Sequence, residues 1–335
     1  MNTILWAINS KCNFNCKYSY LNFPIDENPI SNVNNFEEKD VEEEKIIKFI
    51  SRFKELDIGR VFVAGAEPLS YADKTFRIIN KLKDSNVQVV LCTNGYTLEK
   101  HYKEIINTGI DAISISLDSF DKEYNNRYRQ YPNSDGWQKV VDGIKLLVNE
   151  KNKKKANLKI GIYTVMTKQN IKHLKKTYEF LNDLGIDYYV FQPIYLNKNE
   201  NLYDELVLDK NDVLYLKEIM SYLYKNAKKT MLPNQNYINM MVKSIENDNI
   251  EIKDCFAGKN LFFITPDGRI HMCPSSKCIV NEQNIFYISE NLEDIFLNHK
   301  YKISECNAFS EDCVNMWQLM SFDEIIQKGG QKNGY

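Results

Sequence analysis

Short runs of β-branched and aromatic residues alternate with longer amphipathic stretches through residues 1–200, and this alternation constrains the fold more than any other feature of the chain. Such alternation is the signature of βα units, which build a parallel sheet with helices packed against it. The strand candidates are Thr3 to Asn9, Arg60 to Ala64, Gln88 to Cys92, Ala112 to Leu117, Leu158 to Val165 and Tyr188 to Gln192. Between them, helices are expected at Val41 to Leu56, Tyr71 to Ser85, Tyr102 to Thr108, Trp137 to Asn149 and Ile171 to Leu184. Several of the strands are apolar along their whole length, as expected where helices cover a parallel sheet. A barrel-like closure and an open doubly wound sheet both fit these six units.

After Pro193 the rhythm stops. Asp209 to Asn247 reads as helix with one proline break near Leu232. From Ile250 onward come short strand pieces around a Pro266-Asp267-Gly268 turn signal, several cysteines, and a terminal helix near Ser321 to Gln327. The expected organisation is a barrel unit at 1–200, a helical linker at 201–250 and a cysteine-rich unit at 251–335. The lysine run Lys151 to Lys155 reads as a solvated loop between helix and strand.

The balance of 43 Lys+Arg against 45 Asp+Glu gives no electrostatic case for nucleic acid or an anionic membrane. No apolar run approaches the roughly 20 residues of a membrane span, and the first residues carry no signal-peptide pattern. A cytoplasmic protein is expected, and a reducing compartment turns grouped cysteines toward metal or redox work. Of the eight, Cys12 and Cys16 lie near the N-terminus, and Cys255, Cys273, Cys278, Cys306 and Cys313 crowd the last third. Cys92 is alone in an apolar run and reads as a small buried strand residue.

In parallel α/β folds, functional groups collect at the C-terminal ends of strands, and the unusual residues of this chain are there. The first strand leads into Cys12, Cys16, Tyr18 and Ser19; thiols four residues apart on one loop suit an iron-sulfur cluster, although two incidental thiols would read the same. The second strand exits into Gly65, Ala66, Glu67 and Pro68, the third into Thr93, Asn94 and Gly95, the fourth into Ser116, Asp118 and Ser119, and the sixth into Gln192 and Pro193. Glycine admits a close ligand, a buried carboxylate takes an ammonium group, and serine or aspartate holds ribose or carboxylate oxygens.

On these motifs the chain resembles the radical S-adenosylmethionine (SAM) enzymes, in particular the branch with SPASM or Twitch extensions. CNFNCKYS at 12–19 resembles the cluster loop of that family except at its last position, and GAEPL at 65–69 is similar to its Gly-Gly-Glu-Pro motif. The likeness extends to the third, fourth and sixth strand ends and to the stretch Asn126 to Gln130. It implies an α/β fold, a partial (β/α)6 radical SAM barrel with a C-terminal cysteine-rich Twitch/SPASM-like α+β extension. It also implies a 4Fe-4S cluster on Cys12, Cys16 and the position of Ser19, with one iron free for SAM. Glu67 would then take the SAM amino group, Arg129 (failing that, Arg127) its carboxylate, and Ser116 and Asp118 would lie near the ribose. Tyr18 would pack by the adenine, and Gly65, Ala66, Pro68, Asn94 and Gln192 would complete the site. The implied chemistry is reductive cleavage of SAM to a 5'-deoxyadenosyl radical that takes a hydrogen atom from the substrate.

Cys255, Cys273, Cys306 and Cys313 resemble the ligands of an auxiliary iron-sulfur cluster, with Cys278 competing for the place of Cys306. A structural zinc is the alternative, because four thiolates suit that ion too. Ser19 departs from the family pattern: a free thiol titrates at about 8.5, whereas a hydroxyl stays protonated and binds cluster iron more weakly. Three explanations stay open: a cysteine-to-serine variant of an active enzyme, which the otherwise complete SAM pattern favours, a natural protein using serine or an outside ligand, and a degenerate scaffold. Ala66 in the second glycine place is tolerable if its φ is negative. The expected substrate is a peptide matured by the enzyme, with a sugar or nucleoside as the alternative. Partners would be a reducing electron donor and, because the chain begins almost at the first strand, a separate peptide-recognition protein.

Overall fold

The computed structural model describes residues 1–19, 40–196, 198–247, 255–274, 286–298, 311–315 and 319–327. Six parallel strands, β1 (Asn2–Ala7), β2 (Ile58–Ala64), β3 (Gln88–Thr93), β4 (Ala112–Ser116), β5 (Lys159–Met166) and β6 (Tyr188–Pro193), lie side by side in chain order. Each falls within two residues of its expected place. The connecting helices are α1 (Glu43–Ser51), α2 (Ala72–Asp84), α3 (Leu98–Asn107), α4 (Lys122–Arg129), α5 (Gly136–Lys154) and α6 (Leu174–Asp183). After α7 (Tyr203–Leu206), the segment read as a broken helix forms α8 (Val213–Asn226) and α9 (Gln235–Glu246), the latter capped by the Asn234 side chain accepting from the Tyr237 amide at 2.9 Å.

Beyond β1 the sheet continues into the C-terminal third. Strand β7 (Leu261–Ile264) pairs parallel with β1, then β8 (Arg269–His271) and β9 (Phe286–Tyr287) follow antiparallel. The turn between β7 and β8 uses Gly268 at φ +86°, a conformation that favours glycine, and is closed by Gly268 N donating to Thr265 O at 2.9 Å.

Strand side chains alternate between two cores, as the pleat requires. Ile4, Trp6, Val61, Val63, Val89, Leu91, Ile113, Ile115, Ile160 and Ile162 face outward into the large core shared with the helices. Phe62, Val90, Ala112, Tyr188 and Val190 face inward and meet Leu261, Leu319, Phe322 and Ile325 in a second core. The C-terminal helix Phe322–Gln327 closes that inner core, with the Phe322 ring edge-on to Phe62 at 5.2 Å and to Tyr188 at 5.4 Å.

Lys151 to Lys155, expected as a loop, instead form the last turn of α5 and its cap. Cations at a helix C-terminus are favoured by the backbone dipole. Lys151 also reaches Asp187 at 2.6 Å, and that carboxylate accepts from the Ile160 amide at 2.7 Å, tying α5 to the starts of β5 and β6. The run therefore has a structural task that charge counting could not reveal.

Tyr188 crosses the inner face from β6 to β4, its hydroxyl within 2.8 Å of Ser114 Oγ and donating to Ile113 O at 2.7 Å. The ring passes over Gly161 of β5, where an added Cβ would stand 2.0 Å from a ring carbon. Gly161→Ala is expected to displace the ring and lower stability by about 1–3 kcal/mol. Urea unfolding measures this, and an unchanged midpoint would show that the ring has room to move.

Candidate functional site

Near the C-terminal ends of the parallel strands many inward residues become small or polar: Ala7, Ala64, Cys92, Ser114, Ser116 and Gln192. The space they leave is a cavity of about 410 Å³, walled also by Cys12, Cys16, Tyr18, Ser19, Gly65, Ala66, Glu67, Asn94 and Arg129. Residues named from separate stretches of sequence thus meet on one surface. Pro68 and Asp118 are the two expected SAM-site residues outside that wall.

The first two loops are fastened together beyond the ends of β1 and β2. Ala66 N donates to Asn9 O at 3.1 Å, Glu67 N to Lys11 O at 2.9 Å, and Asn9 Nδ2 to Glu67 O at 3.0 Å. Gly65 permits the approach, since a Cβ there would sit 2.9 Å from Asn9 Oδ1. Ala66 is not among the positive-φ residues, so its methyl group brings no backbone strain.

Glu67 is buried, and its carboxylate accepts from Leu69 N at 3.0 Å, Thr93 Oγ1 at 2.6 Å and Asn94 N at 2.6 Å. The bond from Leu69 makes it the N-cap of the short 3-10 turn Pro68–Tyr71, a role the site pattern alone does not reveal. Burial pushes its carboxyl above the usual range, and these three hydrogen bonds oppose the shift. A carboxylate offers about four acceptor positions, which leaves one for a ligand.

The cysteine loop rests on the C-terminal end of α4. Lys17 N donates to Tyr128 O at 2.8 Å, and the Cys16 thiol lies 3.3 Å from Arg129 O. Helix α4 was missing from the expected elements because its sequence, KEYNNRYR, carries no aliphatic stripe. It buries Tyr124, Asn125, Tyr128 and Arg129 instead. On the other side of the loop, Asn94 Nδ2 donates to Asn13 Oδ1 at 2.7 Å and sits 3.8 Å from Cys12 Sγ. Cys12 is exposed, Cys16 half-buried.

Asp118 is fully buried at the centre of this arrangement. One carboxylate oxygen accepts from Tyr18 Oη at 2.7 Å and Arg129 Nη1 at 2.9 Å, the other from Val165 N at 2.8 Å. Its oxygens are thus engaged by the protein, and Asp118 positions Tyr18 and Arg129. Arg129 is 6% exposed, and its Nε has no hydrogen-bond partner among the described residues. A buried guanidinium with an orphaned donor on a cavity wall suits an anionic group. Arg127, by contrast, is exposed and paired with Glu205 at 2.8 Å. Cys92, expected to be simply buried, faces the cavity half-covered, and burial pushes its thiol up to about 12.

The auxiliary ligands are placed in part. Cys273 is buried, Cys255 and Cys313 are half-buried, and Cys278 and Cys306 lie outside the described residues. No three His, Cys, Asp or Glu side chains among the described residues gather closely enough to hold a metal ion. No described helix is long and apolar enough to cross a membrane.

Breaking a buried ion pair by neutralising one member leaves an uncompensated charge, at about 3–5 kcal/mol. Asp118→Asn is expected to destabilise the fold by that amount while keeping an acceptor for Val165 N. Chemical denaturation reads the loss, and a change under about 1 kcal/mol, the value of an exposed pair, would show that Arg129 is reached by solvent.

The sequence model of the Radical SAM superfamily matches residues 6–181. Among curated proteins, the chain is 25% identical over 307 residues to the AdoMet-dependent heme synthase of Methanosarcina barkeri, covering 87% of this chain and 82% of that one. It is 30% identical over 165 residues to the GTP 3',8-cyclase of Aliarcobacter butzleri, spanning only 46% of that relative's length. Among solved structures, anSMEcpe with bound AdoMet superposes with a TM-score of 0.63 at 17% identity over 98% of this chain and 89% of that one. Streptococcus suis SuiB bound to S-adenosylmethionine gives 0.64 at 14% identity over 88% and 64%. At such identities the structural likeness concerns the fold alone. With the superfamily match covering more than half of the 335 residues, on the strands and loops that build the cavity, the chain belongs to the radical SAM superfamily of enzymes, which use S-adenosylmethionine.

Proposed function

We propose that this chain binds SAM in the cavity at the strand ends and directs hydrogen abstraction at a peptide. The observation that carries the reading is the convergence of Cys12, Cys16, Gly65, Glu67, Asn94, Ser116, Arg129 and Gln192 on one wall. When bound, a reduced 4Fe-4S cluster with SAM supplies a 5'-deoxyadenosyl radical for that abstraction. The chain's own residues do the positioning. Glu67 offers its remaining acceptor to the SAM ammonium, and Arg129 its orphaned Nε to the carboxylate. Tyr18, held by Asp118, packs by the adenine, while Ser116 and Gln192 face the ribose side; Tyr163 fixes Gln192 through a hydrogen bond of 2.5 Å. Leu5, Val165, Phe263 and Leu319 add apolar surface to the cavity wall.

Cys12, Cys16 and Ser19 share the cavity wall, so the loop suits a cluster in position. Its donor set is two thiols and one hydroxyl, which predicts a labile or incomplete cluster in this chain. The reading favoured is a cysteine-to-serine variant of an active enzyme, supported by the complete set of SAM-facing groups.

A cavity of 410 Å³ lies near the small end of ligand sites, roughly 300–1,000 Å³. Among the structural neighbours, anSMEcpe is solved with bound AdoMet and Kp18Cys peptide, and SuiB bound to precursor peptide SuiA. A second reading, the same chemistry on a small molecule, is favoured by the names of the curated relatives, a heme synthase and a GTP cyclase. We further propose that residues 251–335 form a functional unit in the manner of a Twitch or SPASM extension. Cys255, Cys273, Cys313 and Cys306 (or Cys278) would hold its auxiliary iron-sulfur cluster, with a low-potential electron donor and a separate peptide-recognition protein as partners.

Ser19→Cys is expected to complete the thiolate loop. After anaerobic reconstitution with iron and sulfide, it should release 5'-deoxyadenosine from SAM and dithionite at least about tenfold faster than the unmodified chain, the effect of ~1.4 kcal/mol in a barrel-bound reaction's barrier. A full cluster without any 5'-deoxyadenosine would defeat the radical-enzyme reading. Equal rates for the two proteins would defeat the claim that serine cripples the cluster.

A further inference from the structure

One buried side chain on the cavity wall carries an acceptor that no described residue satisfies. Asn315 closes the 3-10 turn Glu311–Asn315, is 5% exposed, and carries an Oδ1 with no hydrogen-bond partner among the described residues. Buried acceptors are nearly always satisfied, and of the residues with such an unpartnered atom only Asn315 and Arg129, among the described residues, line the cavity, where a ligand can supply the partner. Asn315 lines the same cavity as Cys12, Cys16 and Arg129.

The C-terminal third contributes three further residues to that wall, Phe263, Pro274 and Leu319, all apolar. None of the four is needed to place SAM, whose charged ends are met by Glu67 and Arg129. This side of the site therefore presents one neutral amide among apolar groups. A phosphate or carboxylate brought there would lose its hydration without a counter-charge. A peptide unit suits it: a carboxamide is itself an amide, planar, with one acceptor end and one donor end. Rotation about its last torsion presents either end, since that torsion is broad and roughly two-fold.

We propose that Asn315 is a specificity-determining residue that receives the backbone of a peptide substrate, its amide oxygen accepting a backbone N–H while Phe263, Pro274 and Leu319 take the adjacent apolar side chain. The inference rests on the peptide reading above and adds to it which residue selects the substrate and by what group.

The probes are acetyl-phenylalanine N-methylamide and its analogue with both amide nitrogens methylated, titrated by ligand-observed NMR into the full chain in the presence of SAM. The unmethylated probe should bind about tenfold more tightly, the usual worth of one hydrogen bond. Asn315→Leu should erase that preference while leaving SAM affinity by calorimetry and the melting temperature as in the parent. Equal binding of the two probes to the parent, binding of neither, or a preference that survives in Asn315→Leu would each overturn the proposal. The comparison on the parent chain needs no variant and decides the matter even if Asn315→Leu fails to fold. Failure of the underlying peptide reading shows separately: a parent chain that binds SAM and neither probe takes no peptide here, whereas equal binding of both probes faults Asn315 alone.

Discussion

The buried pair of Asp118 and Arg129 is the interaction on which the rest of the site depends. A carboxylate with no solvent contact and a guanidinium that is nearly enclosed would each be costly alone. Together with the Tyr18 hydroxyl and the Val165 amide, they fix four chain segments at one point. Those segments are the cysteine loop, the end of β4, the end of α4 and strand β5. Because the carbonyls of Tyr128 and Arg129 in turn hold Lys17 and Cys16, the Cys16 thiol stands where the ion pair puts it. The arrangement leaves Arg129 Nε without a hydrogen-bond partner among the described residues, and that donor, on a residue of the cavity wall, connects a folding constraint to the candidate site.

The cavity itself follows from side-chain size along the strands. Low in the sheet the inward positions are filled by Phe62, Val90 and Tyr188 and sealed by the C-terminal helix; near the strand ends they shrink to Ala7, Ala64, Cys92 and Ser114. Order along the chain was legible in the sequence because each strand is a compact apolar run flanked by turn residues. The inward and outward faces were not, since strands buried on both sides read as uniformly apolar. Alternation of large and small residues, for example Trp6 against Ala7 or Leu91 against Cys92, was the available signal.

Of the candidate site, the residues carried by local motifs were legible, and those carried by tertiary placement were not. Glu67, between Gly65-Ala66 and Pro68, declares itself, yet its capping of the next turn and its bonds to Thr93 and Asn94 appear only in three dimensions. Helix α4 hid because tyrosine and asparagine, not aliphatic residues, form its buried face. Asn315 carried no motif at all, and only an unpartnered buried oxygen on a residue of the cavity wall distinguishes it. The lysines at 151–155 misled because charge density looks the same in a loop and in a helix end.

Ser19 concerns the cluster, whereas the groups proposed to recognise SAM are all present. That separation allows the central claim to be tested without any radical chemistry, by comparing the affinities of SAM and of SAM lacking its carboxylate for the reconstituted chain and for Arg129→Met. If Arg129 holds the carboxylate, the decarboxylated compound binds the parent roughly tenfold to a hundredfold more weakly, the worth of a charge-assisted hydrogen bond, and the two compounds bind Arg129→Met alike. Equal affinity of both compounds for the parent chain would contradict it.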